Sequence, residues 1–330
     1  VANISFFSAE SAKFLDIRLN LQSKSLDNLL LKCWRFIIRH ISSVKPRPLR
    51  DEWFEIEEQV SRGGHSPALL ERIADILRPR LRVGKRLSLY EKIIEPPKYP
   101  TDVMEVDFEI QDGLSADDVL RAWPDGASAE TDNKLLLRLT TALEAALDDA
   151  TDAGVEQGNG YGTTDSDVPS VAGHDQNAHR TGFNPIVRVL AELWLRLAQK
   201  SPLQALPFIK KWRESNFRVM RRLALFGCVE PEVPADFAAD MLITLPKGEL
   251  FLTSSAVEVY RLIRARWLDF PSDKQRRILL RLCEGPPWEW FREGAEIDRT
   301  IARSRFDMLA EMVRDGLDIG GEAKLVLNDI

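Results

Sequence analysis

Apolar residues recur at helical spacing through the second half of the chain, from about residue 185 onward. Asn184 and Pro185 have the order of a helix cap followed by a proline in the first turn. The following turns place an apolar stripe on one side, formed by Ile186, Leu190, Leu193 and Leu197. This spacing predicts an amphipathic helix that packs against a core.

Further helices are predicted to start at about residues 216, 234, 254 and 272. Ser255 with Glu258, and Ser272 with Gln275, have the spacing of capping boxes at the last two starts. Alternate helices therefore recur about every 38 residues, which is typical of the two-helix units of solenoid proteins. We predict a mostly α fold, an α-solenoid of HEAT- or TPR-like helix pairs.

The first half of the chain is less regular. Helices are predicted at about residues 25–42, 51–61, 66–78 and 129–153, and Ser115 with Asp118 predicts a cap for a short helix. Residues 103–111 alternate acidic and apolar side chains, which predicts one half-buried strand and at most a small β element. The expected division is a helical region with this strand over 1–125, a long helix over 126–153, a long loop over 154–184 and a helical-repeat region over 185–330.

The composition is that of a globular protein, with 44% hydrophobic and 29% charged residues and no apolar run of the roughly 20 residues that a membrane span needs. Three cysteines far apart in apolar stretches favour buried thiols in a reducing compartment, so a cytoplasmic location without membrane contact is expected. Acidic residues are concentrated in residues 101–200, which would repel phosphates. Because the chain begins with Val1 and not Met, we expect a fragment of a larger protein.

The stretch GNGYGTT at residues 158–164 raises the possibility of a nucleotide enzyme. A phosphate-binding loop needs a strand before it and a lysine after it, but here a long helix precedes the glycines and no lysine occurs between residues 135 and 199. We therefore expect a surface connection, no cofactor and no enzyme activity in this chain. An unrecognised NTPase or nuclease stays open as an alternative.

The loop that follows has turn-forming and polar residues typical of an ordered segment, and a metal site there is disfavoured by the lack of cysteine and of regular spacing. The candidate loop-ordering residues are His174, Gln176, Asn177, His179 and Arg180.

Two basic clusters and one aromatic group are candidate partner-binding residues. The clusters lie at residues 78–86 and 210–222, and nucleic-acid binding through them is the alternative function. The aromatic group follows a helix end and has the composition of a protein-binding hot spot. The candidates are Arg78, Arg80, Arg82, Arg218, Arg221, Arg222, Trp288, Trp290 and Phe291.

Three stretches, residues 166–194, 217–227 and 258–287, resemble the C-terminal helical regions of bacterial antiphage defence proteins of the STAND NTPase and sirtuin-like NAD-hydrolase type. The resemblance implies a sensor or regulatory solenoid that binds a phage component or its own effector domain. It carries over no catalytic residue, since the chain has neither a Walker motif nor an NAD-binding fingerprint. The expected partner is thus a protein, with nucleic acid less favoured and oligomers formed through the larger protein.

Overall fold

The computed structural model describes residues 31, 33–35, 38, 49–84, 99–102, 104–110, 114–157, 162–174, 177, 180–290 and 297–328. The chain divides into two compact units. Unit 1 comprises Val1–Val168 and His174–Leu193, and unit 2 comprises Pro169–Gly173 and Trp194–Ile330. The fold is mostly helical, as the sequence pattern predicts.

Unit 1 combines helices with a two-stranded sheet. Its helices are α1 (Leu49–Ser61), α2 (Pro67–Leu77), α3 (Ala116–Ala122), α4 (Ala129–Ala153) and α5 (Thr163–Asp167), followed by the first turns of α6 (Asn184–Lys200). The long helix α4 packs against α2 through leucines and alanines that are fully buried. These bounds confirm the predicted helices over 51–61, 66–78 and 129–153, while most of the one over 25–42 lies outside the described residues.

The small β element is an antiparallel pair, β1 (Arg80–Gly84) with β2 (Glu105–Glu109). Leu81 lies opposite Phe108 and Val83 opposite Val106, so the apolar members of both strands share one face. The strand predicted over 103–111 is confirmed. Its partner strand occupies a stretch that the sequence pattern marks only as a basic cluster.

Unit 2 is helical throughout its described part. After the remainder of α6 come α7 (Pro202–Arg213), α8 (Arg218–Gly227), α9 (Ala235–Thr244), α10 (Thr253–Arg266), α11 (Ser272–Glu284), α12 (Ile297–Arg314) and α13 (Gly320–Asn328). The starts of α8 to α11 confirm the predictions at about 216, 234, 254 and 272. Helix α8 packs against α10, and α9 packs against α11, so alternate helices are neighbours as in a stack of helix pairs.

Capping follows the prediction at one helix and departs from it at two. The Ser115 hydroxyl accepts from the Asp118 amide at 3.2 Å, and the Asp118 carboxylate accepts from the Ser115 amide at 3.1 Å, which confirms that capping box. The boxes predicted at Ser255 and Ser272 are wrong, because α10 begins two residues before Ser255 and Ser272 is itself the first residue of α11.

Candidate partner-binding surface

The basic helix α8 lies in the interior of unit 2. All ten of its residues are buried, including Arg218, Arg221 and Arg222. Arg222 faces Glu258 of α10, with Nε donating to Oε2 at 2.9 Å and Nη2 donating to Oε1 at 3.2 Å. Each of these two side chains is only 1% exposed. A buried guanidinium is tolerated when a carboxylate and further hydrogen bonds compensate its charge.

The same ion pair holds a short loop segment of unit 2. Glu258 accepts a hydrogen bond from the Val171 amide at 2.7 Å, and Arg222 donates to the Pro169 carbonyl at 3.1 Å. Glu258 therefore binds residues that are far from it in the sequence and does not cap its own helix. Part of the loop predicted over 154–184 is fixed on this unit through its backbone.

A second glutamate compensates the other two arginines of α8. Arg221 Nε donates to Glu249 Oε2 at 2.9 Å, and its Nη1 donates to the Ser215 carbonyl at 2.6 Å. Arg218 Nε lies 4.0 Å from Glu249 Oε1. The expectation that Arg218, Arg221 and Arg222 offer an accessible basic surface is corrected, because buried glutamates draw all three inward.

The first basic cluster is also engaged within its own unit. Arg78 pairs with Asp149 at 2.7 Å, Arg80 with Asp75 at 2.9 Å and Arg82 with Glu109 at 2.5 Å. Arg82 is exposed, whereas Arg80 keeps only 11% of its side chain accessible. Lys85 and Arg86 lie outside the described residues. The three described arginines of the cluster are thus paired with acidic neighbours.

Two further arginines hold the ends of helices in unit 2. Arg266 donates to the carbonyls of Cys228, Glu230 and Val233 at 3.2, 2.6 and 3.1 Å, just beyond the end of α8. Arg281 donates to the carbonyls of Leu242, Ile243 and Leu245 at 2.7, 2.5 and 2.7 Å, at the end of α9. Terminal helix carbonyls have no partner inside their own helix, and a guanidinium satisfies several at once. We call these two residues the arginine clamps.

Unlike the candidate arginines, which are held by carboxylates, the predicted partner-binding residue Trp288 is uncharged and lies at the surface, with 65% of its area exposed. It begins a 3-10 turn, Trp288–Trp290, directly after α11. The end of α11 packs closely against α12. Gly285 has a φ of +76°, a Cβ there would lie 2.8 Å from Ile301 Cγ2, and Arg305 donates to the Glu284 carbonyl at 3.1 Å. The side chain of Trp290 and all of Phe291 lie outside the described residues.

The candidate loop-ordering residues are placed in part. Asn177 is buried, its amide donates to the His174 carbonyl at 2.8 Å, and its carbonyl accepts from Asn184 Nδ2 at 2.9 Å. It thereby links the loop to the first turn of α6. His174 and Arg180 are exposed, and Gln176 and His179 lie outside the described residues. Of GNGYGTT only residues 162–164 are described, and Thr164 donates from its amide and hydroxyl to Glu156 at 3.2 and 2.9 Å.

Asp167, at the end of α5, has a shifted protonation equilibrium. The pKa of Asp167 is raised from 3.8 to about 6, mainly by desolvation on burial and also by the nearby Asp107, while the Phe183 amide and Arg180 act in the opposite direction. The Phe183 amide donates to the carboxylate at 3.2 Å. This carboxyl group therefore changes charge near neutral pH.

The cysteines and the acidic groups give no sign of a metal centre in the described part of the chain. Cys228 is buried, and desolvation raises its pKa to about 12, so its thiol stays protonated. Within the ranges that the structure describes, no three His, Cys, Asp or Glu side chains form a group that could hold a metal ion. None of the helices described combines the length and apolar composition needed to cross a bilayer.

Comparison with known proteins places the chain beside one bacterial relative. It is 28% identical over 267 residues to the uncharacterized protein y4cA of Sinorhizobium fredii. The alignment covers 80% of this chain but 22% of the relative, so the chain spans about a fifth of the length of that protein. No family model matches the chain, and no solved structure matches it.

Sequence reasoning missed the residues that decide the placement of the arginines. Glu249 and Glu258 are buried carboxylates among 51 acidic residues, and neither stands in a local pattern with the arginine that it binds. The arginine clamps are separated from the carbonyls they bind by 33 to 39 residues. This separation matches the predicted period of about 38 residues, which is the signal that could have found them.

Proposed function

We propose that this chain is a non-catalytic helical-repeat scaffold that acts as the sensor or regulatory region of a larger bacterial antiviral defence protein. In this role it binds a protein ligand or its own effector domain. The observation that carries the proposal is the exposed Trp288 shortly after the end of α11, in a unit whose basic residues on α8 are turned inward.

A protein ligand suits this surface better than a nucleic acid does. Binding to phosphates requires accessible cationic side chains. The three arginines of α8 are buried, and Arg78, Arg80 and Arg82 are paired with carboxylates of unit 1. A large exposed tryptophan is instead the type of residue that dominates the binding energy of protein interfaces.

The repeat architecture and the larger protein have separate support. Alternate helices pack side by side in unit 2, and the arginine clamps repeat this spacing. A relative about five times as long as the aligned region is in keeping with a module of a multidomain protein. The antiviral role rests on the resemblance of residues 166–194, 217–227 and 258–287 to defence proteins, and the cytoplasmic location rests on the three separate cysteines in apolar stretches.

Photocrosslinking in bacteria tests the proposal. A photoreactive phenylalanine analogue replaces Trp288 in one variant and, as the matched control, Leu268 in another, because Leu268 is an exposed apolar residue of the same unit with 86% of its area accessible. Cells are irradiated before and after infection with a panel of phages. We expect a discrete protein adduct at position 288 and none at 268.

The source of the adduct separates the two forms of the proposal. An adduct that forms only after infection supports a phage ligand, and one formed with the protein's own polypeptide supports an effector domain. An adduct that nuclease removes, or no adduct at position 288, overturns the proposal.

A further inference from the structure

A cleft of about 160 Å³ opens in unit 1 beside the loop that leads into α6. Its wall is formed by the start of α3, by Asn177, Arg180 and Thr181, and by the first turns of α6. Two guanidinium groups, those of Arg180 and Arg188, lie in this wall together with Asp117 as the acidic residue of the lining.

The charges of the cleft do not cancel. Arg188 makes a two-point ion pair with Asp117, with Nη2 2.7 Å from Oδ1 and Nη1 3.2 Å from Oδ2. Arg180 is exposed, and it lies near enough to Asp167 of α5 to lower the pKa of that carboxyl group. Asp167 is outside the lining, whose side chains carry two guanidinium groups and one carboxylate.

We propose that this cleft binds one small oxyanion, a carboxylate or phosphate group, between Arg180 and Arg188. The Arg180 guanidinium presents parallel N–H donors that match two oxygens of such a group. Both Nη groups of Arg188 are held by Asp117, but its Nε is buried with no hydrogen-bond partner among the described residues, which leaves this donor for a ligand. The hydroxyl of Thr181 belongs to the same lining and supplies a neutral partner. The volume fits a group of a few heavy atoms, and the surrounding acidic residues repel extended polyanions, so a small ligand is favoured over nucleic acid.

Titration calorimetry of the whole chain with inorganic phosphate, and separately with succinate, tests this site at ionic strength held constant with sodium chloride. We expect saturable binding of at least one anion. Arg180→Ala should weaken that binding at least tenfold, and Arg180→Lys should weaken it less. Arg180 is exposed, so these variants should fold, which circular dichroism checks.

Arg121→Ala is the matched control, because Arg121 is an exposed arginine of α3 that pairs with Asp118 and does not line the cleft. It should bind like the wild type. Preference for phosphate or for succinate identifies the source of the oxyanion, and either preference supports the site. Absence of saturable binding for both anions, or equal affinity in Arg180→Ala and wild type, overturns the proposal. Neither result depends on whether Trp288 binds a protein.

Discussion

Arg222 of α8 and Glu258 of α10 form a two-point ion pair in the interior of unit 2, and both side chains are 1% exposed. Transfer of two such charges out of water costs several kcal/mol for each ion, and their attraction offsets this only when the remaining polar atoms are also hydrogen-bonded. Here the Pro169 carbonyl and the Val171 amide provide those bonds. Arg222, which the sequence places in a candidate phosphate-binding cluster, is therefore part of the core.

The arginine clamp at Arg281 should be required for the stability of unit 2. Arg281→Ala removes the donors of three carbonyls at the end of α9, and we expect a loss of about 2–4 kcal/mol in the free energy of unfolding. Arg281→Lys should recover only part of this, because an ammonium group cannot span three carbonyls. Urea unfolding measures both. Arg277→Ala, at an exposed position of the same helix, should change the stability by less than about 0.5 kcal/mol.

Neutralising Asp167 should stabilise the protein at neutral pH and not in acid. Burial raises the pKa of Asp167 to about 6, so the folded state binds the proton more tightly than the unfolded state. The contribution of this group to stability is therefore fully present below pH 3.8 and is lost as the pH rises through 6. Asp167→Asn, which keeps an oxygen to accept from Phe183, should raise the free energy of unfolding by roughly 1–2 kcal/mol at pH 7.5.

Thermal unfolding from pH 4 to 7.5 checks this sign. The difference in melting temperature between wild type and Asp167→Asn should widen with rising pH. In an Asp107→Asn background this difference should be smaller, since Asp107 helps to raise the pKa of Asp167. A gap of constant size across the range would contradict the assigned protonation.

Substitutions at two glycines measure the cost of backbone strain separately from the cost of steric crowding. Gly63 and Gly154 both have φ near +80°, a conformation that side chains disfavour, but only Gly154 is crowded, since a Cβ there would lie 2.5 Å from Tyr99 Cβ. Gly63→Ala should cost about 1 kcal/mol in the free energy of unfolding. Gly154→Ala should cost about 3 kcal/mol or more, because it adds a steric clash in a packed region. Equal losses in chemical denaturation would show that Tyr99 moves aside freely.

The sequence predicts those helices and strands whose formation depends on residues close together in the chain. The starts of α8 to α11, the helix α4 and the strand β2 follow from periodicity, and the cap at Ser115 follows from spacing within one turn. Helix α7 was missed although Ser201 and Pro202 have the order of a cap and a first-turn proline, because the internal Pro207 interrupts its pattern. Strand β1 was missed because it is five residues long and alternates with arginines.

The candidate site depends on contacts that no local pattern contains. Whether an arginine lies at the surface or in the core is decided by the presence of a buried acceptor elsewhere in the chain, as Glu249 is for Arg221. Trp288 could be predicted as a partner-binding candidate because it belongs to an aromatic group that follows a helix end. Its exposure is known only from the folded chain.

The central claim is that the basic helix α8 holds a helical scaffold together and does not present charge to a ligand. A double-mutant cycle between Arg222 and Glu258, measured by urea unfolding, tests it most directly. Arg222→Leu and Glu258→Leu should each lower the free energy of unfolding by about 3–5 kcal/mol, and the double variant should lose far less than the sum, because it leaves no uncompensated buried charge. Arg303→Leu, in an exposed pair with Asp307, provides the control and should have little effect. An Arg222→Leu protein as stable as that control would contradict the claim.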